Sequence, residues 1–491
     1  MEKTKTTGLL YDKTDPVDIF RYSKGLLNHT LRDFVWEGYK TKRGKGGLGQ
    51  MVENIYFLLE TNSNPSADFS EAGLELKCTP LLERVKGVND DDDKSKYRIK
   101  ERLVCNMIDF CKVIDEDFEN SHFYLKCQLM LLLFYLHQAK TNKLDLEFLY
   151  SVLWKLPEKD LLIIRHDYEV IINKIREGKA HLLSEGDTDY LGACRKGKKG
   201  QKRVRQPNSS ELAPKRAFSL KPAYMRTILD YVTKCHENAV SNFAPRKASS
   251  IVSLRALQKG MSFEEIVLER FRRFKGKSYR ELCEYIGRDY DSDKSKYYHI
   301  SSRLVNLKIG SINATEEFRK SGIQLKTIRI EADGSINESM SFENIDYQEV
   351  FEIENWLDSR LYEIFSGRFL FALYRADGGT ITYYDTKKSR YVTENSYALD
   401  DVFFWTMPIK DLSFAEAYWN HIRKTILDNH IDPIYFNSKK NPRFHVRPKG
   451  ENGSDLTINP NEPDGKRVKK YCYWFNNSYV REIVKKYEES K

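Results

Sequence analysis

The chain has 491 residues, more than one hydrophobic core ordinarily organises, so two or three domains are expected. Hydrophobic residues make up 40% of it and charged residues 31%, with 30 Tyr and 26 Phe, which excludes a disordered polyelectrolyte and fits folded domains. A formal net charge of +10 favours a polyanionic partner.

At the N-terminus, MEKTKTTGLLYDKTD lacks the apolar core and cleavage site of a signal peptide. Gly49 to Leu59 carries apolar residues at helical spacing after a glycine-rich entry and predicts a helix. Gly73 to Pro80 alternates between bounding Gly and Pro and predicts a strand. The acidic run Asn89 to Lys94 predicts a solvated loop. Leu129 to Leu136 is the longest apolar run and suits a buried strand or helix segment, too short to span a bilayer. A cytoplasmic protein without a membrane partner is expected. The eight cysteines form no CxxC pair and the ten histidines no metal-binding spacing, so neither disulfides nor a structural metal are expected.

The sequence is written twice. Asp68 to Lys77 (DFSEAGLELK) reads against Glu317 to Lys326 (EFRKSGIQLK), and Ile108-Asp109-Phe110 against Ile345-Asp346-Tyr347. Trp154 to Leu161 (WKLPEKDL) matches Trp405 to Leu412 (WTMPIKDL), and Tyr190 to Gly197 can be set against Arg443 to Gly450. Lys215 and Tyr224 then find counterparts in Lys470 and Tyr479. Four matches in one order at a nearly constant offset imply two copies of one domain: residues 1–235, a polar linker at 236–256, and residues 257–491.

In the first copy, Glu75 and Lys77 are two apart on the expected strand and share one face, while Leu74 and Leu76 face the core. Asp68 and Glu75 can share a hard cation such as Mg²⁺, and Glu53, on the preceding helix, can reach the same place. Such a cation activates water and neutralises charge on a phosphate, and the Lys77 ammonium beside it can orient the attacking water. Alone, an Asp followed by Glu-x-Lys is better read as an ordinary surface strand with a Glu–Lys neighbour pair, and other motifs must support the catalytic reading.

The order Gly47-Leu48-Gly49-Gln50-Met51-Val52-Glu53, then Asp68-Phe69, then Gly73 to Pro80 (GLELKCTP) resembles the MutH-type branch of the PD-(D/E)XK nucleases. That branch includes a methyl-directed mismatch-repair nickase and type II restriction enzymes that cut at 5′-GATC. Lys100 to Val104, Tyr190 to Cys194 and Lys215 to Lys221 resemble the restriction enzymes of the group, as does the two-copy length. The resemblance covers most of the first 230 residues and returns more weakly afterwards. It implies a mixed α/β sheet flanked by helices, the restriction-endonuclease-like fold, in two tandem copies. It implies Asp68, Glu75 and Glu53 as Mg²⁺ ligands, Lys77 as the catalytic lysine, and Lys100 as a second basic residue near the scissile phosphate.

Between Arg195 and Arg205, seven of eleven positions are Lys or Arg, a run suited to tracking phosphates. By the resemblance, Arg195 and Lys196 lie in the base-reading loop with Lys198 and Lys199 beside them, and Ser219 and Lys221 lie in a second DNA-facing segment. In the second copy, Glu317 stands for Asp68 and Gln324 for Glu75, with Ser302 at the place of Glu53 and Lys326 retained. A neutral amide is a poor cation ligand, so this copy should not hydrolyse DNA. Its basic residues Arg447, Lys449 and Lys470 suit DNA binding and regulation. The expectation is a type II restriction endonuclease acting on double-stranded DNA at GATC. It would be monomeric in solution, pair or loop on DNA, and be accompanied by a methyltransferase for the same site. A mismatch-repair nickase and a non-cleaving DNA-binding protein are the alternatives.

Overall fold

The structure is a computed structural model that describes residues 10–36, 47–59, 66–84, 96–196, 203–234, 249–291, 293–386, 388–430, 441–450, 452–461 and 467–491. They divide into two compact units, the first ending by residue 247 and the second running from 248.

In the first unit, helices α1 (Pro16–Ser23) and α2 (Leu48–Ile55) precede strand β1 (Glu75–Glu83). Then follow β2 (Tyr97–Ile99), β3 (Leu103–Met107), α3 (His122–Cys127), β4 (Leu129–Leu136), β5 (Phe148–Lys155) and α4 (Glu158–Arg176). Strands β6 (Leu191–Arg195), β7 (Val204–Gln206), β8 (Ser209–Ala213) and β9 (Arg216–Leu220) and helix α5 (Pro222–Lys234) complete it. One sheet has the order β2-β1-β4-β5, with β1 parallel to β4 and the other pairs antiparallel. A second sheet, β3-β9-β6, is antiparallel, and β7 and β8 form a hairpin. Met130 through Phe134 of β4 are all fully buried, because a central strand covered on both faces needs apolar side chains on both. Each such side chain contributes about 1.5–3 kcal/mol of transfer free energy.

The second unit repeats this plan. Helices α6 (Leu254–Gln258), α7 (Phe263–Arg272), α8 (Tyr279–Ile286), α9 (Lys296–Val305) and α10 (Glu316–Ser321) lead to β10 (Gln324–Ile330), β11 (Met340–Asn344), α11 (Tyr347–Glu352) and α12 (Arg360–Ser366). After them come β12 (Arg368–Asp385), β13 (Arg390–Thr406), α13 (Ile409–Leu427), β14 (Phe444–Pro448), β15 (Leu456–Ile458), β16 (Arg467–Lys469), β17 (Tyr471–Phe475) and α14 (Asn477–Glu489). The order β10-β12-β13 repeats β1-β4-β5, again with a parallel first pair. The order β11-β17-β14 repeats β3-β9-β6, and β15 with β16 repeats the hairpin.

The same polar ties recur at matching places. Tyr224 donates to Asp160 at 2.7 Å, and Tyr479 donates to Asp411 at 2.9 Å. The Lys196 amide donates to the Lys215 carbonyl, and the Lys449 amide to the Lys470 carbonyl, both at 2.9 Å. Ile108 and Ile345 donate to Arg216 and Tyr471 respectively. The expected linker is shorter than 236–256 implies, since Ile251 and Val252 are buried and α6 begins at Leu254. The acidic run at 89–94 lies outside the described residues.

Candidate active site

The site begins with a turn. Phe69 and Leu74 form an isolated antiparallel bridge, and Gly73 between them has φ +60. No atom lies within 4 Å of a Cβ built there, so the left-handed backbone alone asks for glycine. The turn folds Asp68 back onto β1, where one carboxylate oxygen accepts from the Leu76 amide at 2.9 Å. Leu74 and Leu76 enter the core, and Glu75 and Lys77 take the other face.

Glu75 is 1% exposed, so its charge needs partners. Lys77 donates to it at 2.6 Å, and Lys126, near the end of α3, donates to its two oxygens at 3.0 and 3.1 Å. Burial opposes the charge on Lys77, but Glu75 beside it holds the ammonium above its ordinary pKa. Burial raises the Asp68 carboxyl, and Glu75 adds to that, against the pull of the Leu76 amide and the two lysines. Glu53, on α2, is pushed up to about 7 by burial first and then by Asp68 and Glu75. Three carboxylates and two ammonium groups thus share one partly buried place.

The donor chemistry suits a hard divalent cation, which takes oxygen ligands and relieves the mutual repulsion of carboxylates. Glu75 is presently held by its lysines and Asp68 by the Leu76 amide. No group of three His, Cys, Asp or Glu side chains among the described residues is already gathered as a metal cluster.

Lys126 was not found from the sequence. It acts on a residue 51 positions away, and no local pattern marks it. Lys100, expected near the scissile phosphate, follows β2 and donates to Glu101 at 2.7 Å, and the second ammonium on Glu75 is that of Lys126.

Arg195 is exposed at the end of β6, opposite Arg216 of β9. Lys196 follows it, partly exposed, and Lys198 and Lys199 lie outside the described residues. Ser219 and Lys221 correct an expectation. Ser219 is fully buried on the central strand β9, and the Lys221 ammonium donates inward to the Thr188 carbonyl, so neither presents its side chain to a partner here. The segment from Tyr190 to Cys194 has its own structural reason. Asp167 accepts from the amides of Asp189, Tyr190 and Leu191, and a Cβ at Gly192 would lie 2.6 Å from the Glu185 carboxylate. Glu185 in turn pairs with Arg102 at 2.7 Å.

In the second unit, the residue matching Asp68 is not Glu317. The Leu325 amide, matching that of Leu76, donates to Asn313 at 3.0 Å. Twelve positions separate Asn313 from Leu325, against eight between Asp68 and Leu76, and the extra four accommodate the turn of α10. Glu317 is buried on α10 and accepts from Ser250, Ile251 and Val252. Gln324 pairs with Phe369 as Glu75 pairs with Met130, which aligns Lys326 with Lys77 and Phe365 with Lys126. Ser302 is buried on α9 and accepts from the Ile312 amide at 3.1 Å. Arg447 and Lys449 are exposed, whereas Lys470 is paired with Asp455 at 2.6 Å.

Residues 57–167, which carry Asp68, Glu75, Lys77 and Lys126, match the family model of the DNA mismatch repair enzyme MutH. The chain is 31% identical to the type II restriction enzyme Sau3AI of Staphylococcus aureus over 479 residues, covering 91% of this chain and 94% of that protein. The chain belongs to the MutH-type restriction endonucleases. A MutH mismatch repair protein of Buchnera aphidicola subsp. Baizongia pistaciae is 22% identical over 183 residues, covering 36% of this chain and 78% of its own. As in this restriction endonuclease family generally, the fold is a mixed sheet flanked by helices. Among the described residues, no helix is long and apolar enough to cross a membrane.

Proposed function

We propose that this restriction endonuclease hydrolyses double-stranded DNA at 5′-GATC in a Mg²⁺-dependent reaction, with its chemistry confined to the first unit. The observation that carries this reading is the meeting of Lys77 and Lys126 on Glu75 beside Asp68 and Glu53. Asp68 and Glu75, with Glu53, would hold the cation, which supplies charge neutralisation at the phosphate. Lys77 orients the attacking water and faces the charge that develops on the phosphate. Lys126 fixes the Glu75 carboxylate against the strand. Arg195 and Lys196, with Lys198 and Lys199 following, contact DNA beyond the end of β6. Chemistry is absent from the second unit, where Asn313, Gln324 and Phe365 stand for the groups of the first, and that unit binds DNA and regulates cleavage.

The enzyme acts in the cytoplasm as a monomer that pairs or loops on DNA, beside a methyltransferase for the same sequence. Incubation with supercoiled plasmid, in Mg²⁺ or in EDTA, with the ends sequenced, tests this. Cleavage in Mg²⁺ alone with every end at GATC is expected. Replacing Asp68 by Asn, Glu75 by Gln or Lys77 by Ala lowers the rate by about a hundredfold or more while leaving DNA binding in place. Ends at another sequence overturn the specificity, and single-strand nicks as the final product favour a nickase.

A further inference from the structure

Loss of the carboxylates leaves the retained lysine of the second unit without the acidic partners of the first, and Glu343, a carboxylate that still acts on it, is itself paired with Arg360. Where the first unit sets Glu53, Asp68 and Glu75 against two lysines, the second has Asn313 and Gln324 around a retained Lys326. Lys326 is inward, donating to the Ser341 carbonyl at 2.8 Å and lying 4.6 Å from the Phe342 ring. Burial, and then the neighbouring Lys449, push it down to about 8, opposite in direction to Lys77. Lys449 meets it at the same residue, donating to the Ser341 hydroxyl at 2.9 Å.

Ser341 lines a cavity of about 670 Å³ together with Arg447, Trp474, Asn476, Asn477 and Ser478. The last three open the 13-residue helix α14, whose N-terminal dipole favours negative charge. The Arg447 guanidinium and the Lys449 ammonium lie 5.1 and 5.7 Å from the Trp474 ring, and His445 stacks on that ring at 5.8 Å. Trp474 therefore positions cations. Glu338, a carboxylate in the cavity lining, is paired with Arg329.

We propose that this cavity binds a backbone phosphate of DNA without a divalent cation, Arg447 and Lys449 holding the phosphate oxygens and Lys326 supplying charge behind Ser341. The inference rests on the reading that the second unit binds DNA. It adds that a degraded nuclease centre grips a phosphate directly, where the first unit meets one through a cation.

Lysine acetylation of the full-length protein, with and without a GATC-containing duplex in EDTA, followed by mass spectrometry, tests it. Several-fold protection of Lys449 in EDTA is expected. The double variant Arg447→Gln, Lys449→Gln should weaken duplex binding about tenfold and lower the slope of log affinity against log salt by about 0.9, the value for one phosphate contact. Protection of Lys469 and Lys470 without Lys449 overturns the cavity assignment and leaves DNA binding by the unit standing. No protected lysine in the unit overturns both. Protection that appears only with a divalent cation overturns the metal-free contact. Equal protection by millimolar inorganic phosphate makes a free anion the ligand and overturns the assignment to DNA.

Discussion

Glu75 accepts from Lys77 at 2.6 Å and from Lys126 at 3.0 and 3.1 Å while almost wholly buried. Two ammonium groups around one carboxylate leave a net positive charge against which Asp68 and Glu53 are set, so with all three carboxylates ionised the cluster carries one negative charge in excess, which suits it to a cation. Removing Lys126 leaves Glu75 short of a partner in a poorly solvated place, and the carboxylate is then no longer fixed. Lys126→Gln should lower plasmid cleavage by about 10²–10³-fold, the effect of losing one well-placed charged donor, with duplex affinity changed little. A variant cutting at the parent rate would remove Lys126 from the site. Lys326 offers a test by pH. A lysine depressed to about 8 from 10.5 carries its buried charge at a cost below pH 8, and that cost fades as pH rises to 10.5. Lys326→Met should therefore melt above the parent at pH 7, the gap narrowing between pH 8 and 10.5, whereas a gap independent of pH refutes the assignment. The common face of Glu75 and Lys77 was legible because period-two geometry fixes it, whereas Asp68 was named through the family motif, and the turn at Gly73 that folds it back onto β1 is seen only in the structure. Lys126 was not, since only the tertiary fold brings α3 to β1.

At the scale of elements, the repeat seen in the sequence reappears as matching sheets, hairpins and closing helices. Polar ties at helix α4 to α5 and at α13 to α14 survive in both units, as Asp160 with Tyr224 and Asp411 with Tyr479. Each carboxylate is 1% exposed, so deleting the phenol hydroxyl removes a donor from a buried acceptor. Tyr224→Phe and Tyr479→Phe should each destabilise their unit by about 1–3 kcal/mol, read as a fall in melting temperature of about 2–4 °C per kcal/mol. An unchanged melting curve would show that the tie contributes nothing net. The match of Glu317 with Asp68 failed for an elemental reason. An ungapped comparison cannot see that α10 adds a turn between the acceptor and its strand, which moves the role to Asn313. The buried direction of Ser219 and Lys221 was equally hidden, because Ser219 lies on a wholly buried strand and Lys221, just beyond it, turns in to the Thr188 carbonyl 33 positions away, a contact that no local pattern marks.

For the whole molecule, one unit in two bearing the carboxylate set means that a single chain presents one centre to two strands of DNA. Cleavage of a plasmid with one target should pass through a nicked circle, or accelerate more than linearly with protein concentration if two chains combine. A linear product formed at once, with rate proportional to enzyme, would mean that the second unit also cuts. The two-domain organisation and the family were legible in the sequence because they rest on long, ordered similarity. Which basic side chains face outward was less so, since a charge pattern does not tell an inward lysine such as Lys221 from an outward one such as Lys449.

The parallel pairing of β1 with β4 also governs when the centre can exist. Asp68, Glu75 and Lys77 are made early, yet β1 lacks its parallel neighbour until Leu136 is available, and β5, which closes the other side of β4, ends at Lys155. Lys126 also arrives late. During translation the carboxylates therefore emerge unassembled, and a ribosome-bound fragment shorter than this cannot organise them. A restriction endonuclease of this build thus acquires its centre only after a substantial length of polypeptide has been made, so truncated products ending before Leu136 should not cleave DNA.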